Sequence, residues 1–510
     1  MKKVIFTLLA GLMVSAQMFA VTAKEVCGEY DGNLNIAGVV YENKAVYLLP
    51  GVTEGSITFV LPDFKYNAGK LGNIVLPNIP MDANGQLSLT DATLYIDSIS
   101  ERATINVLNG LEDGGEVYNS IVTAKDIQVL LSIAAPSLPE PIFVLFAGVA
   151  ANKNYAIVNG GFEGEWTNNE PEGWHSFGSA TGMMKDFVIE NTYQFVSSSD
   201  VRPGSTGKQS ALLSSNMLFG VKANGNCTNG QINAGSMTAD DAAANYNFSD
   251  PSNDGFNTPF HGRPDSVVFW AKYVPADRDA ANEVNKARLN VVLTTDARYQ
   301  DPEGEGEFAK AKVAAATVDY AATPDLGWQR IAVPFTYQTD GQPAYILTTF
   351  STNMLPGGGS SYSTGSSLSK VNVLDSVYLD DVELVYNNRL TTLVRGTESL
   401  SFNGSAYVVD EDYCDSCDLY SAEADGVSAQ VFFAFDAVRK CVFVYVIADD
   451  FAQSGAYSLY RVTFKDSAST EAVDEVSGVQ TPKSEKVFRN GQLLLRCGDT
   501  WFDVTGKRLQ

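Results

Sequence analysis

The sequence predicts an all-β protein of several domains, and three observations predict it. Apolar residues alternate with polar ones over many short runs, as where Ile57, Phe59 and Leu61 fall between Ser56, Thr58 and Val60. Turn-forming pairs separate these runs: Pro62-Asp63, Asn84-Gly85, Asn109-Gly110 and Gly114-Gly115. The chain also carries 43 Gly, 27 Phe and 23 Tyr with little helical periodicity, and its 510 residues exceed a single ordinary domain.

The first element is a leader. Lys2-Lys3, an apolar run from Val4 to Phe19 and small residues at Ala20 and Ala23 read as a signal peptide over residues 1–23. The run is short and Gln17 interrupts it, which argues against a membrane anchor, and no other stretch approaches the ~20 apolar residues of a transmembrane segment. A secreted protein is expected, extracellular or at the cell surface.

Residues 24–150 read as a β-barrel. The alternation continues through Leu87 and Leu89, Leu94 and Ile96, Ile105 and Val107, Val129, Leu131 and Ile133, and Phe143 and Leu145. About eight strands in so short a stretch suit a small closed barrel, which leaves no exposed edge. Tyr30-Asp31-Gly32-Asn33-Leu34, Leu61-Pro62-Asp63-Phe64 and Leu71-Gly72-Asn73-Ile74 resemble the calycin-like barrel domain of secreted bacterial proteins. The resemblance implies a small apolar ligand inside the barrel; the alternative is a barrel filled by its own side chains.

A linker of small residues leads into residues 155–387. This stretch opens with Asn159-Gly160-Gly161-Phe162-Glu163, Trp166 and Gly173-Trp174, and closes with Val377-Tyr378-Leu379-Asp380-Asp381-Val382-Glu383-Leu384. The closing strand alternates, slips phase at Asp380-Asp381, and alternates again, which predicts a bulge or a bound ion at the acidic pair. Residues 225–256, 301–307 and 356–369 read as long loops, the places on a sandwich where binding is usually found. The two ends together resemble the galactose-binding-like jelly roll of carbohydrate-binding modules. Pro259-Phe260-His261-Gly262-Arg263-Pro264 and the strand around Trp270 resemble a narrower family, the carbohydrate metabolism domain of secreted bacterial proteins. What the resemblance implies is a jelly-roll β-sandwich that handles glycans, with a structural calcium at the junction of first and last strands.

Glu163, Asp380 and Asp381 are the candidate calcium ligands, because calcium takes six to eight oxygens and like charges brought together need a cation or protons. Alternatively one carboxylate caps a turn and another faces water. Sugar recognition needs flat aromatic faces and planar polar groups, which makes Trp270, Trp166, Arg263 and His261 the candidate carbohydrate-binding residues. Trp270 shares a strand face with Lys272, while Val267, Phe269, Ala271 and Tyr273 share the other, and both faces are apolar enough for a core or a groove. Arg263 has a structural alternative, pairing with a local acid such as Asp265. With only two histidines, a His-rich zinc site or a Ser-His-Asp triad is hard to assemble. Acids are too many for their presence to identify a glycosidase pair.

Residues 388–467 read as a small immunoglobulin-like β-sandwich, with strands near 407–409, 429–435, 441–447 and 457–464. A solvated linker follows at 468–485, then a terminal hairpin at 486–510 that resembles the C-terminal sorting tail of secreted anaerobe proteins. Cys414-x-x-Cys417 in an acidic loop allows a redox-active or metal-binding pair, and export favours a structural disulfide.

The formal net charge is −25, which repels phosphate backbones and argues against nucleic acid as a partner. Neutral glycans remain compatible. The expectation is a secreted carbohydrate-binding protein without catalysis; the alternatives are a glycoside hydrolase using the jelly-roll loops, and an apolar-ligand carrier using the barrel.

Overall fold

The computed structural model describes residues 21–467 apart from 67–68, 97–100, 114, 192–194, 219–220, 277–284, 304–306, 357–374, 404–405, 417–418 and 466, together with the backbone of four tail strands between 484 and 509. The expected signal peptide up to residue 20, most of the linker at 468–485, most of the loop at 356–369 and Cys417 lie outside the described residues. The protein is all-β, its longest described helix being Lys185–Asn191. Among the described residues no helix is long and apolar enough to cross a membrane. The chain divides into two compact units, one of Met1–Asn152, Asn388–Asp425 and Ala429–Gln510, the other of Lys153–Asn387 and Gly426–Ser428.

The first unit begins with a barrel-like sheet. Its strands run in the order Gly69–Pro80, Ser56–Tyr66, Val39–Pro50, Gly28–Ile36, Ile142–Ala150, Asp126–Ala134, Glu101–Val107 and Leu89–Ile96, all neighbours antiparallel. The two ends of that order lie against each other, so the sheet curls almost shut. Period-two alternation sends Val46, Leu48, Ile57, Phe59, Leu61, Ile74, Leu76, Ile105, Val129, Leu131, Val144 and Phe146 into one shared core.

The intervening residues of three strands, Tyr47, Leu49, Val60 and Val75, are also buried, although alternation turns them outward. They are covered by the later part of the same unit. Residues 388–467 form two packed sheets, one of Leu390–Arg395, Glu398–Ser399 and Tyr420–Ala424, the other of Phe402–Asn403, Ala406–Val409, Tyr457–Phe464, Cys441–Ile447 and Gln430–Asp436. Cys441–Ile447 is buried along its whole length because both its faces are claimed. Val442 and Val444 join the core between the two sheets, while Cys441, Phe443, Tyr445 and Ile447 pack on the outward face of the barrel. The Tyr445 hydroxyl lies 3.2 Å from Thr58 Oγ1 and donates to the Pro50 carbonyl at 3.0 Å. The tail pairs as four short strands rather than the single hairpin expected from sequence. Cys414 and Cys441 are free thiols.

The second unit is a sandwich. One sheet orders Phe195–Ser198, Ser210–Ser214, Ser376–Val385, Ser266–Val274 and Gln329–Pro334; the other orders Asn226–Thr228, Tyr345–Ser351, Ala287–Thr294, Lys312–Tyr320 and Thr336–Tyr337. Phe269, Ala271 and Tyr273 from the first sheet meet Leu289, Val291, Leu293 and Phe350 from the second in one core, with Trp174 fully buried beside them. Alternation therefore fixes what each sheet shows outside: Trp270 and Lys272 on the first, Arg288 and Asn290 on the second.

The phase slip at Asp380-Asp381 is a β-bulge. Pairing with Ser266–Val274 shifts register between Val268 and Trp270, and Asp381 takes a φ of +44°, which Asp tolerates better than most residues.

Candidate functional site

The outer face of the second sheet carries a groove. Register places Asn226, Ser351, Arg288 and Asp319 side by side across four strands, and Thr228, Thr349, Asn290 and Thr317 in the next outward row. Directly paired residues share a face with Cβ atoms ~5 Å apart, so these rows form two polar rungs. Thr317 donates to Asn290 Oδ1 at 2.6 Å, and Arg288 grips Asp319 through Nε at 2.6 Å and a terminal nitrogen at 2.9 Å. That side-on grip leaves three of the five guanidinium N–H donors for another partner.

A three-stranded sheet stands beside the rungs: Gln231–Ala234, Asn245–Ser249 and Tyr299–Asp301. Two of its strands lie in the stretch 225–256, which the sequence presents as a loop, and the third ends at Asp301, where the second expected loop, 301–307, begins. The strands are only three to five residues long, too short for the alternation in Gln231–Ala234 and Asn245–Ser249 to stand out from the polar stretch around them. Ile232, Asn247 and Asp301 are paired across it, which puts an apolar residue, an amide and an acid in one row. Asn290 Nδ2 donates to Asp301 Oδ2 at 2.8 Å and ties this sheet to the rungs. Burial pushes the Asp301 carboxyl above the usual carboxylate range, against the opposing pull of Asn290 and Arg288.

An apolar wall closes one side. Phe177, Met184, Phe187 and Val188, from the short turn of helix at Phe177–Ser179 and the helix Lys185–Asn191, pack with Ile232 and Ala234. The loop after Ala234 adds Met237 and Asp240, and Asn245 staples it by accepting from the N–H groups of Gly235 and Ser236 and donating to the carbonyls of Ser236 and Thr238. The enclosed groove measures about 360 Å³, within the range of small-ligand sites.

The residues singled out from sequence lie elsewhere in this unit and are not gathered together. Trp270 sits half-buried on the outside of the other sheet, with the Arg202 guanidinium 5.3 Å from its ring centre. Trp166 lies at the edge of the core against Phe195, its indole N–H donating to the Phe162 carbonyl at 3.3 Å. His261 sets its ring edge-on to Tyr155, and its backbone N–H donates to the Asn154 carbonyl. Arg263 is buried: it donates to the carbonyls of Gly341 at 2.5 Å and Thr339 at 3.3 Å and to Ser428 Oγ at 3.1 Å, with its plane over Tyr337. Asp265, the anticipated partner of Arg263, instead accepts from the N–H groups of Asn387 and Val427. Gly262, between His261 and Arg263, has no room for a side chain, since a Cβ would fall 2.1 Å from the Tyr386 hydroxyl.

The acidic corner does assemble. Val382 N–H donates to the Gly160 carbonyl, and a Cβ on Gly161 would touch both Asp381 Oδ1 and Glu163 Cγ. Each carboxylate already holds N–H donors. Glu163 Oε1 accepts from Lys208 and Gln209 at 2.7 and 2.9 Å, Asp380 Oδ2 accepts from the Arg202 N–H at 3.1 Å, and Asp381 Oδ2 pairs with Arg202 Nε. Burial and the neighbouring Asp381 raise the Asp380 carboxyl. Among the described residues no group of three or more His, Cys, Asp or Glu is placed to hold a metal ion.

No protein-family model matches the chain, and no curated protein matches it. Solved structures give a faint likeness. The chain is similar to a candidate glycoside hydrolase from Bacteroides thetaiotaomicron at 14% identity and a TM-score of 0.31, covering 71% of this chain and 98% of the other. It is similar to a candidate glycoside hydrolase from Bacteroides vulgatus at 16% identity and a TM-score of 0.28, covering 55% and 97%. It is also similar to the module TmCBM61, solved with β-1,4-galactotriose, at 13% identity and a TM-score of 0.20, covering 46% and 98%.

Proposed function

We propose that the protein is a secreted or surface-held carbohydrate-binding protein, and that its second unit binds glycan in the groove on the Arg288–Asn290 face without cleaving it. The observation that supports this reading is the groove's division into parts. Two polar rungs with spare guanidinium donors meet the hydroxyl edge of a sugar, and the wall of Phe177, Met184, Phe187 and Ile232 meets its apolar face. Nothing in that division requires a nucleophile or a paired acid and base.

A glycan array probed with the intact chain tests the proposal, followed by the same array with Arg288→Ala and Asn290→Ala. Retention of a glycan by the wild type and its loss from both variants is expected. Binding that survives both variants unchanged would remove the groove from the account. Release of reducing sugar from a bound glycan would replace it with the hydrolase reading, for which the buried acid Asp301 is the proton donor to test first.

A second surface has its own observation: Trp270, Tyr378 and Trp328 lie on the outside of the other sheet, interleaved with Lys272 and Arg202. A structural calcium at Glu163, Asp380 and Asp381 also stays a proposal, in which the ion shares its carboxylates with the Arg202 guanidinium. Apolar side chains converge inside the barrel, and an apolar ligand there would sit among them.

A further inference from the structure

The Asn247 amide in the groove has a buried oxygen that the protein itself leaves without a donor. Asn245 uses both ends of its amide in the loop staple, and Asn290 uses both ends on Thr317 and Asp301. Asn247 differs. It is 9% exposed and lines the groove, and its Oδ1 is buried with no hydrogen-bond partner. A buried amide oxygen without a donor is destabilising, and native proteins rarely keep one without a reason. Its surroundings are graded. On one side its directly paired neighbour is Ile232, part of the apolar wall with Met184, Phe187 and Val188; on the other side it is Asp301.

A plain hydroxyl fits such a place poorly, because it brings neither a methyl group for the wall nor a planar partner for the amide. An acetamido group brings a donor N–H, an acceptor C=O and a methyl in one rigid unit. Resting on the carbohydrate reading above, we infer that the groove selects glycans carrying an acetamido sugar, whose amide pairs with the Asn247 side chain while its methyl packs against Ile232 and Met184. The spare donors of Arg288 then take the ring hydroxyls.

The test uses the intact chain and four free sugars, N-acetylglucosamine, N-acetylgalactosamine, glucose and galactose, compared by saturation-transfer NMR and competition. The acetamido methyl should be the most strongly saturated proton, and each acetamido sugar should bind about tenfold tighter than its hydroxyl counterpart, because a site built around an amide is left unpaired by the analogue. Asn247→Leu, of similar volume, should bring the two classes level by weakening the acetamido sugars about tenfold more than their hydroxyl counterparts. If that variant does not fold, Asn247→Ser reads the same change in preference. Equal binding of both classes to the wild type overturns the inference and leaves the groove as a general sugar site. Binding of no sugar here, together with an empty glycan array, overturns the carbohydrate reading itself.

Discussion

Asn290 Nδ2 donates to Asp301 Oδ2 across 2.8 Å, joining the outer face of the sandwich to the small sheet beside it. The carboxyl it holds is raised by burial, so the folded protein keeps a proton there that the unfolded chain releases near pH 3.9. The stability this proton carries is complete below that pH and is lost as pH rises through the higher folded value. Melting temperature followed upward from pH 3.5 should therefore contain a falling component, and Asp301→Asn should remove it. A variant whose pH profile superimposes on the wild type would show that Asp301 titrates normally.

Arg202 is the counter-charge of the acidic bulge. Its side chain pairs with Asp381, its N–H reaches Asp380, and its plane covers Trp270. Arg202→Ala leaves two adjacent carboxylates facing each other and should lower stability by about 1–3 kcal/mol, the range for a broken charge-assisted bond. Added calcium should restore more of the melting temperature in the variant than it adds to the wild type. Identical responses of the two proteins to calcium and to chelator would separate Arg202 from any ion site.

Trp270 distinguishes a structural from a binding role for its face of the sandwich. Half-buried beneath a guanidinium, it should cost about 1–2 kcal/mol on truncation to alanine, below the ~3–5 kcal/mol of a core tryptophan. Glycan affinity in the groove should stay within about twofold, since side chains of the two outer faces do not meet across a filled core. A loss of affinity with little loss of stability would instead establish a second sugar surface at Trp270.

The barrel should not be a self-sufficient fragment. Residues 21–152 made alone leave Tyr47, Leu49, Val60 and Val75 uncovered, and a contiguous apolar patch of that kind drives association. The fragment should bind a hydrophobic dye and oligomerise, and Phe443→Ala in the full chain should lose about 3–5 kcal/mol by opening the same contact. A monomeric, dye-silent fragment would show that the outer face of the barrel tolerates water.

What the sequence disclosed was whatever lies within a few residues along the chain. The bulge at Asp380-Asp381 is visible because a period of two breaks locally, and the shared face of Trp270 and Lys272 follows from their spacing. The barrel strands are legible for the same reason. The groove is not, because Ile232, Asn247 and Asp301 become neighbours only through the register of three short strands separated by long intervals. Arg263 shows the same limit from the other direction: its acid neighbour Asp265 is two residues away, yet the carbonyls that bind it come from Thr339 and Gly341. Burial of Val60 was equally hidden, since the strand that covers it lies near the other end of the chain.

That last separation has a consequence in time. The strands that cover the outer face of the barrel leave the ribosome only after Lys153–Asn387 has been made, an interval on the order of tens of seconds at about 5–20 residues per second. Through that interval the nascent barrel has Tyr47, Leu49, Val60 and Val75 with nothing yet made to cover them.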